Sequence, residues 1–278
     1  MKFAILTYAG IILTSMLPRP VFAIPMEEKA PQKESEHFNC DSAREFIGAF
    51  EYLTDSKTFK MKKTEAITLA RKVSIGCDGA AERFIKVSEL LRRSGLDSAS
   101  SLSIGKDFSL ATDMQADAFA AIFKKSYLRD YLDLDIVSSI ETARRLSVDF
   151  KGDHEQALED FEDIVEYCLD REELALPRQK CAQIASDFSL YGEKSQSSIF
   201  EPFVEGLEFL ARDDDGPNLT TLKAIEILNQ IMATSPNAPR NLIEAYEYAY
   251  DKDGLGLSRA KAITIAIDIS KKTYKKLL

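Results

Sequence analysis

No tryptophan occurs in the chain, and histidine appears only twice, at His37 and His154. Without tryptophan, a sugar-binding surface lacks its best stacking side chain. Two isolated histidines leave no Cys–His dyad, no HExxH helix and no histidine-rich zinc site. There is also no GxSxG elbow and no glycine-rich phosphate loop. No stretch sustains the period-two alternation of a half-buried strand, which argues against a β-rich fold.

Cysteine is sparse as well: Cys40, Cys77, Cys168 and Cys181. None sits at CxxC spacing, so no metal site is expected, and nothing implies a cofactor.

Acidic residues are plentiful, and two kinds of cluster need explaining. Carboxylates crowd around His154, from Asp153 to Glu166. A solvated helix face explains them better than a cation site. "DDDG" (213–216) and "DKDGLG" (251–256) resemble calcium loops but place Leu222 and Ala262 where a bidentate Glu belongs, so turns are expected instead.

The N-terminus reads as a secretory signal. Lys2 precedes the apolar run "FAILTYAGIILTSML", and "VFA" ending at Ala23 offers a cleavage site, so residues 1–23 form the expected signal peptide. Residues 24–37 are polar and form an expected flexible lead-in. The mature chain is thus expected outside the cytoplasm, periplasmic or secreted, with no stable membrane insertion. Removing the signal leaves 34 basic against 45 acidic residues, a net charge of −11. Such a chain repels phosphate backbones, so nucleic acid is not an expected partner.

A repeat dominates the rest. "AFEYLTDSKTFKMKKTEAITLARKVS" (49–74) and "AYEYAYDKDGLGLSRAKAITIAIDIS" (245–270) align without gaps, with nine of 26 positions identical. Weaker copies of the terminal nonamer end at 109, 147, 189 and 232, at steps of 35 to 43 residues. That is the size of a two-helix unit of HEAT or tetratricopeptide length. Five residues before each copy stands a large aliphatic: Met61, Leu96, Leu134, Leu176, Leu219 and Leu257. Asp97, Asp135, Thr220 and Ser258 follow four of them, and Pro177 a fifth, as at a helix start. Within the nonamer the second and eighth positions are apolar. The fifth is small at Ala70, Gly105, Ala143, Ala185 and Ala266, where a neighbouring helix can approach closely. The preceding helices show capping boxes at Ser42/Glu45, with Phe46, Ile47 and Phe50 buried, and at Thr112/Gln115.

The expected fold is all-α, an α-solenoid of about six helical hairpins over residues 38–278. The units run roughly 38–77, 78–110, 111–150, 151–191, 192–234 and 235–278. Paired ends of each hairpin then predict disulfides Cys40–Cys77 and Cys168–Cys181, the one pairing that stays within single units. Tyr52, Tyr131, Tyr167 and Tyr248 recur toward one edge and are candidates for a binding ridge.

The expected role is a protein- or peptide-binding or scaffolding module with no catalytic residue singled out. Another protein or peptide is the expected partner, a basic one fitting the net acidity. The alternatives are a carboxylate-dependent hydrolase of cell-wall or glycan substrates, and an inhibitor or immunity-type protein.

Overall fold

A computed structural model describes residues 40–195 and 197–272; the expected signal peptide, the lead-in and residues 273–278 lie outside it. Among the described residues there are twelve α-helices and no strand. In chain order the first eight are α1 (Ser42–Thr54), α2 (Lys63–Ser74), α3 (Ala80–Arg93), α4 (Ser98–Phe108), α5 (Asp113–Tyr127), α6 (Ile136–Ser147), α7 (His154–Leu169) and α8 (Arg178–Ser189). A short 3-10 helix, Leu190–Lys194, leads to α9 (Phe200–Ala211), α10 (Thr221–Met232), α11 (Ala238–Tyr250) and α12 (Arg259–Ser270). Each odd-numbered helix packs on the even one that follows. Odd helices also pack on the next odd helix, from α1 through α11, and α8 touches α6 and α10.

The even helices begin where the aliphatic-plus-cap pattern puts them. Their N-caps are Lys62, Asp97, Asp135, Pro177, Thr220 and Ser258. Asp97 accepts the Ser100 N–H, and Asp135 accepts those of Val137 and Ser138. Asp97 and Asp135 both titrate below the usual carboxylate range, held down first by hydrogen bonds from Ser100 and Ser138.

The residue before each aliphatic is in the left-handed region: Lys60, Gly95, Asp133, Ala175, Asn218 and Gly256. This reverses the chain, and the aliphatic N–H then closes the turn on the odd helix. Met61 donates to Leu53 O, Leu134 to Ser126 O, Leu176 to Cys168 O and Leu257 to Ala249 O, all at 2.9–3.0 Å across the same eight-residue interval. Leu219 closes on Leu210 O and Leu96 on Leu91 O, because the fifth loop is longer and the second shorter.

Small residues set how closely the helices of a pair approach. The first nonamer position is Ala66, Ser101, Ser139, Cys181, Ala224 or Ala262, and every one is buried. At the fifth, Ala70, Ala143, Ala185 and Ala266 are fully buried. A side chain there would be driven into the odd helix. At Gly105 an added Cβ would lie 1.9 Å from Ser88 Oγ and 2.9 Å from Phe84 O. Unit five departs from the rule with Leu228, fully buried, and Gly206 on the facing helix makes room, its absent Cβ lying 2.6 Å from Leu228 Cδ2.

Two local expectations are corrected. Asp41, not Ser42, caps α1 by accepting the Arg44 N–H at 3.1 Å. Glu45 turns inward, 6% exposed, and accepts the Gly79 and Ala81 N–H groups at 3.2 and 2.6 Å. The unpaired N–H groups at the start of α3 outcompete its own helix for that carboxylate. Ile47, expected inside, is 53% exposed; Ala49 and Leu53 carry the buried stripe, with Phe46 and Phe50 half-buried. The Thr112/Gln115 capping box on α5 is present as read from the sequence.

Two glycines separate spatial from conformational need. Gly105→Ala is expected to cost about 1–3 kcal/mol by overpacking against backbone. Gly95→Ala, at φ 95° with nothing near the new Cβ, is expected to cost about 1–2 kcal/mol by conformation alone. Denaturant unfolding of both variants measures this.

Candidate functional site

The four candidate tyrosines do not form a free ridge. Tyr52 Oη donates to Glu89 on α3 at 2.9 Å, and burial raises its pKa. Tyr131 Oη donates to Glu162 O on α7 at 3.3 Å, and burial raises it too. The Tyr167 ring stands edge-on to Phe200 and Phe203, and burial pushes its hydroxyl up to about 12. All three are engaged at joints between neighbouring hairpins. Tyr248 is 64% exposed on α11. Tyr191, not anticipated, makes a similar joint by donating to Asn229 Oδ1 at 2.6 Å.

Charged staples join the units as well. Arg83 is 7% exposed and donates to Asp113 Oδ1 at 2.7 Å, Asp78 O at 2.9 Å and Ser109 O at 3.2 Å. It ties the end of α4 and the start of α5 to α3. Asp160 is fully buried on α7, and its Oδ1 accepts Ser198 Oγ at 2.6 Å and the Ile199 N–H at 3.1 Å. Burial raises its pKa. This carboxylate caps the start of α9. Sequence reasoning missed these residues because all of those partners but Asp78 lie 26 to 39 positions away.

Glu89 is held down to about 2, first by hydrogen bonds from Arg92 and then by those from Arg93 and Tyr52. A carboxylate whose folded pKa is depressed stabilises the fold above its unfolded value and loses that contribution as pH falls. Glu89→Gln is therefore expected to lower the Tm at pH 7 and to converge on the parent between pH 4.5 and 2, measured by circular dichroism.

The cysteines divide. Cys40 and Cys77 are joined by a disulfide with Cα atoms 5.0 Å apart. Cys168 and Cys181, expected to form the second, are free buried thiols. Cys181 occupies the small first position of its nonamer, packed inside the hairpin with Sγ 3.5 Å from Leu176 O. A hydrogen bond shared with Cys181 and burial push the Cys168 thiol up, so it stays protonated and unreactive. Thiol titration should count none in the native protein and both after denaturation without reductant; none in either state would mean the pair had closed.

Among the described residues no group of His, Cys, Asp and Glu is arranged to hold a metal ion, and no helix is long and apolar enough to cross a membrane. Two surfaces stand out. One is acidic, formed by odd helices of the second half. Glu155, Glu159, Asp163 and Glu166 are exposed on α7, Glu201, Glu205 and Glu208 on α9, and Glu244 and Glu247 on α11. Helices α7 and α9 carry no Lys or Arg at all. The other is a groove of about 470 Å³ between α6 and α8, lined by Leu134, Pro177 and Ala182 as well as by polar side chains. One wall carries Ser138, Glu141, Thr142 and Arg145, and the other Gln179, Lys180, Gln183 and Ser186. Arg145 crosses to Asp187 at 2.9 Å and fixes the separation of the walls.

Comparison of the chain with protein-family models, with curated proteins and with solved structures finds no match.

Proposed function

We propose that the chain is an α-solenoid of six helical hairpins that acts outside the cytoplasm as a protein- or peptide-binding or scaffolding module. The acidic face across α7, α9 and α11 carries this reading: three adjacent helices present nine exposed carboxylates against one cation, Arg240. A face of one sign attracts a partner of the other, so a basic protein or peptide is the fitting occupant. The pairing of odd with even helices and of odd with odd along the chain supports the solenoid. So do the six left-handed residues that end the six hairpin turns. The Cys40–Cys77 disulfide supports an oxidising compartment.

Pull-down with the mature protein from its native envelope or secreted fraction tests the reading. Retained proteins should elute as salt rises toward 0.5 M, because screening shortens to a few ångströms over that range. Glu205→Lys/Glu208→Lys should weaken retention. No retained protein, together with turnover in a screen of cell-wall and glycan substrates, would replace this reading with that of a carboxylate-dependent hydrolase.

A further inference from the structure

The geometry points to a head-to-tail contact between copies of this chain, in which the α11–α12 hairpin of one copy stacks on the α1–α2 hairpin of the next; this rests on the reading of the chain as six stacked hairpins. The odd-helix carbonyl that closes each hairpin turn, from Leu53 in the first to Ala249 in the last, gives all six a common register. Seven residues before it stand Phe46, Phe84, Phe119, Phe161, Phe203 and Leu242. The last five are fully buried, and Phe46, on the first hairpin, is half-buried. One residue before the closing carbonyl, the side chain reaches the following hairpin. Tyr52 stands edge-on to Phe84 at 6.0 Å, Tyr167 to Phe203 at 6.4 Å and Phe209 to Tyr246 at 5.4 Å, while Lys125 donates to Glu162. On the last hairpin this position is Tyr248, 64% exposed. Tyr248 and Phe46 are thus the two halves of one such aromatic joint, at opposite ends of the stack.

The even helices carry the same signature. At the eighth nonamer position Val73, Phe108, Leu146, Phe188 and Ile231 are all buried, whereas Ile269 on α12 is half-buried. Ile265, one turn before it, is 36% exposed. Among the described residues no helix follows α12 to cover this face, which a repeat stack ordinarily ends with polar side chains. At the other end Ile47 is exposed on α1, in the register where Glu162 on α7 receives Lys125 from the hairpin before.

Charge chooses the occupant. Between inner hairpins Lys86 pairs with Asp117, and Asp107 with Arg144 at 3.8 Å. The first pair joins the residue five before one closing carbonyl to the residue nine before the next. The second joins nonamer position seven to position six of the following even helix. At the two ends of the chain those positions hold Glu244 and Arg44, and Asp268 and Arg71, all four exposed. Stacking copies end to end in the inner register therefore opposes unlike charges twice, sets Tyr248 over Phe46 and turns Ile265 toward Ile67. The contact joins two different surfaces, so it leaves one of each free on a dimer and further copies can add.

The test is sedimentation velocity of the mature protein at rising concentration. The parent should grow past the dimer. Tyr248→Glu and Ile47→Glu should each stay monomeric, and an equimolar mixture of the two should give a 1:1 dimer and nothing larger, because one intact face of each kind remains. Asp268→Arg should weaken association about fivefold, and Asp268→Arg/Arg71→Glu should recover it. These side chains are exposed, so thermal unfolding should coincide with the parent, whereas Tyr167→Glu, at the same position inside the stack, should lower the Tm. A parent that stays monomeric throughout overturns the contact and leaves the partner-binding reading to the envelope pull-down. Self-association of Ile47→Glu alone would pair like faces and overturn the head-to-tail arrangement. A Tyr167→Glu protein as stable as the parent removes the shared register, and with it both this contact and the six-hairpin stack.

Discussion

Close approach between the two helices of each hairpin is the constraint on which the rest depends. It is permitted by two small residues one turn apart on five of the six even helices, such as Ala66 and Ala70 or Ala262 and Ala266, all fully buried. With the backbones close, the aliphatic before each even helix can reach back and close the turn onto the odd helix. Relaxing the approach at one unit requires compensation opposite, as Gly206 supplies for Leu228. Dense interiors transmit a change of one methyl group, so the small pair recurs while the residues around it vary.

Contacts between successive helix pairs use different chemistry. The joints are polar: Glu45 on the start of α3, Arg83 between α4 and α5, Asp160 on the start of α9, and tyrosine hydroxyls from Tyr52, Tyr131 and Tyr191. Glu45, Arg83 and Asp160 satisfy backbone groups that a helix end leaves unpaired. Charge spent on these joints is withdrawn from the surface, and for that reason three of the candidate tyrosines are bound up in architecture. What remains outside is an acidic odd-helix face and a groove between two even helices.

Much of the fold was legible because it is written in local signals. The N-caps of α4, α6, α8, α10 and α12 follow their aliphatics as the spacing indicated, and even Lys62, which carries no capping side chain, starts α2 at the expected place. Pro202 and Pro239 lie in the first turns of α9 and α11, as proline at a helix start should. The left-handed turn residues were only half legible. Glycine, Asn218 and Asp133 tolerate that conformation, but Lys60 and Ala175 give no hint of it. The candidate surfaces were less legible still, since the groove combines residues some 40 positions apart and its buried hydroxyl, Ser186, looks like any serine in the string.

Taken alone, the sequence determined the helical class, the period of the repeat, where the even helices start and which of their positions must be small. These depend on neighbours within one or two turns, where spacing and side-chain type suffice. Tertiary structure alone decided that Glu45 and Asp160 cap helices of the next hairpin, that Cys168 and Cys181 lie side by side as buried thiols, and that Gln179, Gln183 and Ser186 share a groove with α6. Those outcomes turn on which helix ends and faces meet across units, and pairwise geometry of that kind leaves no periodic trace in the chain.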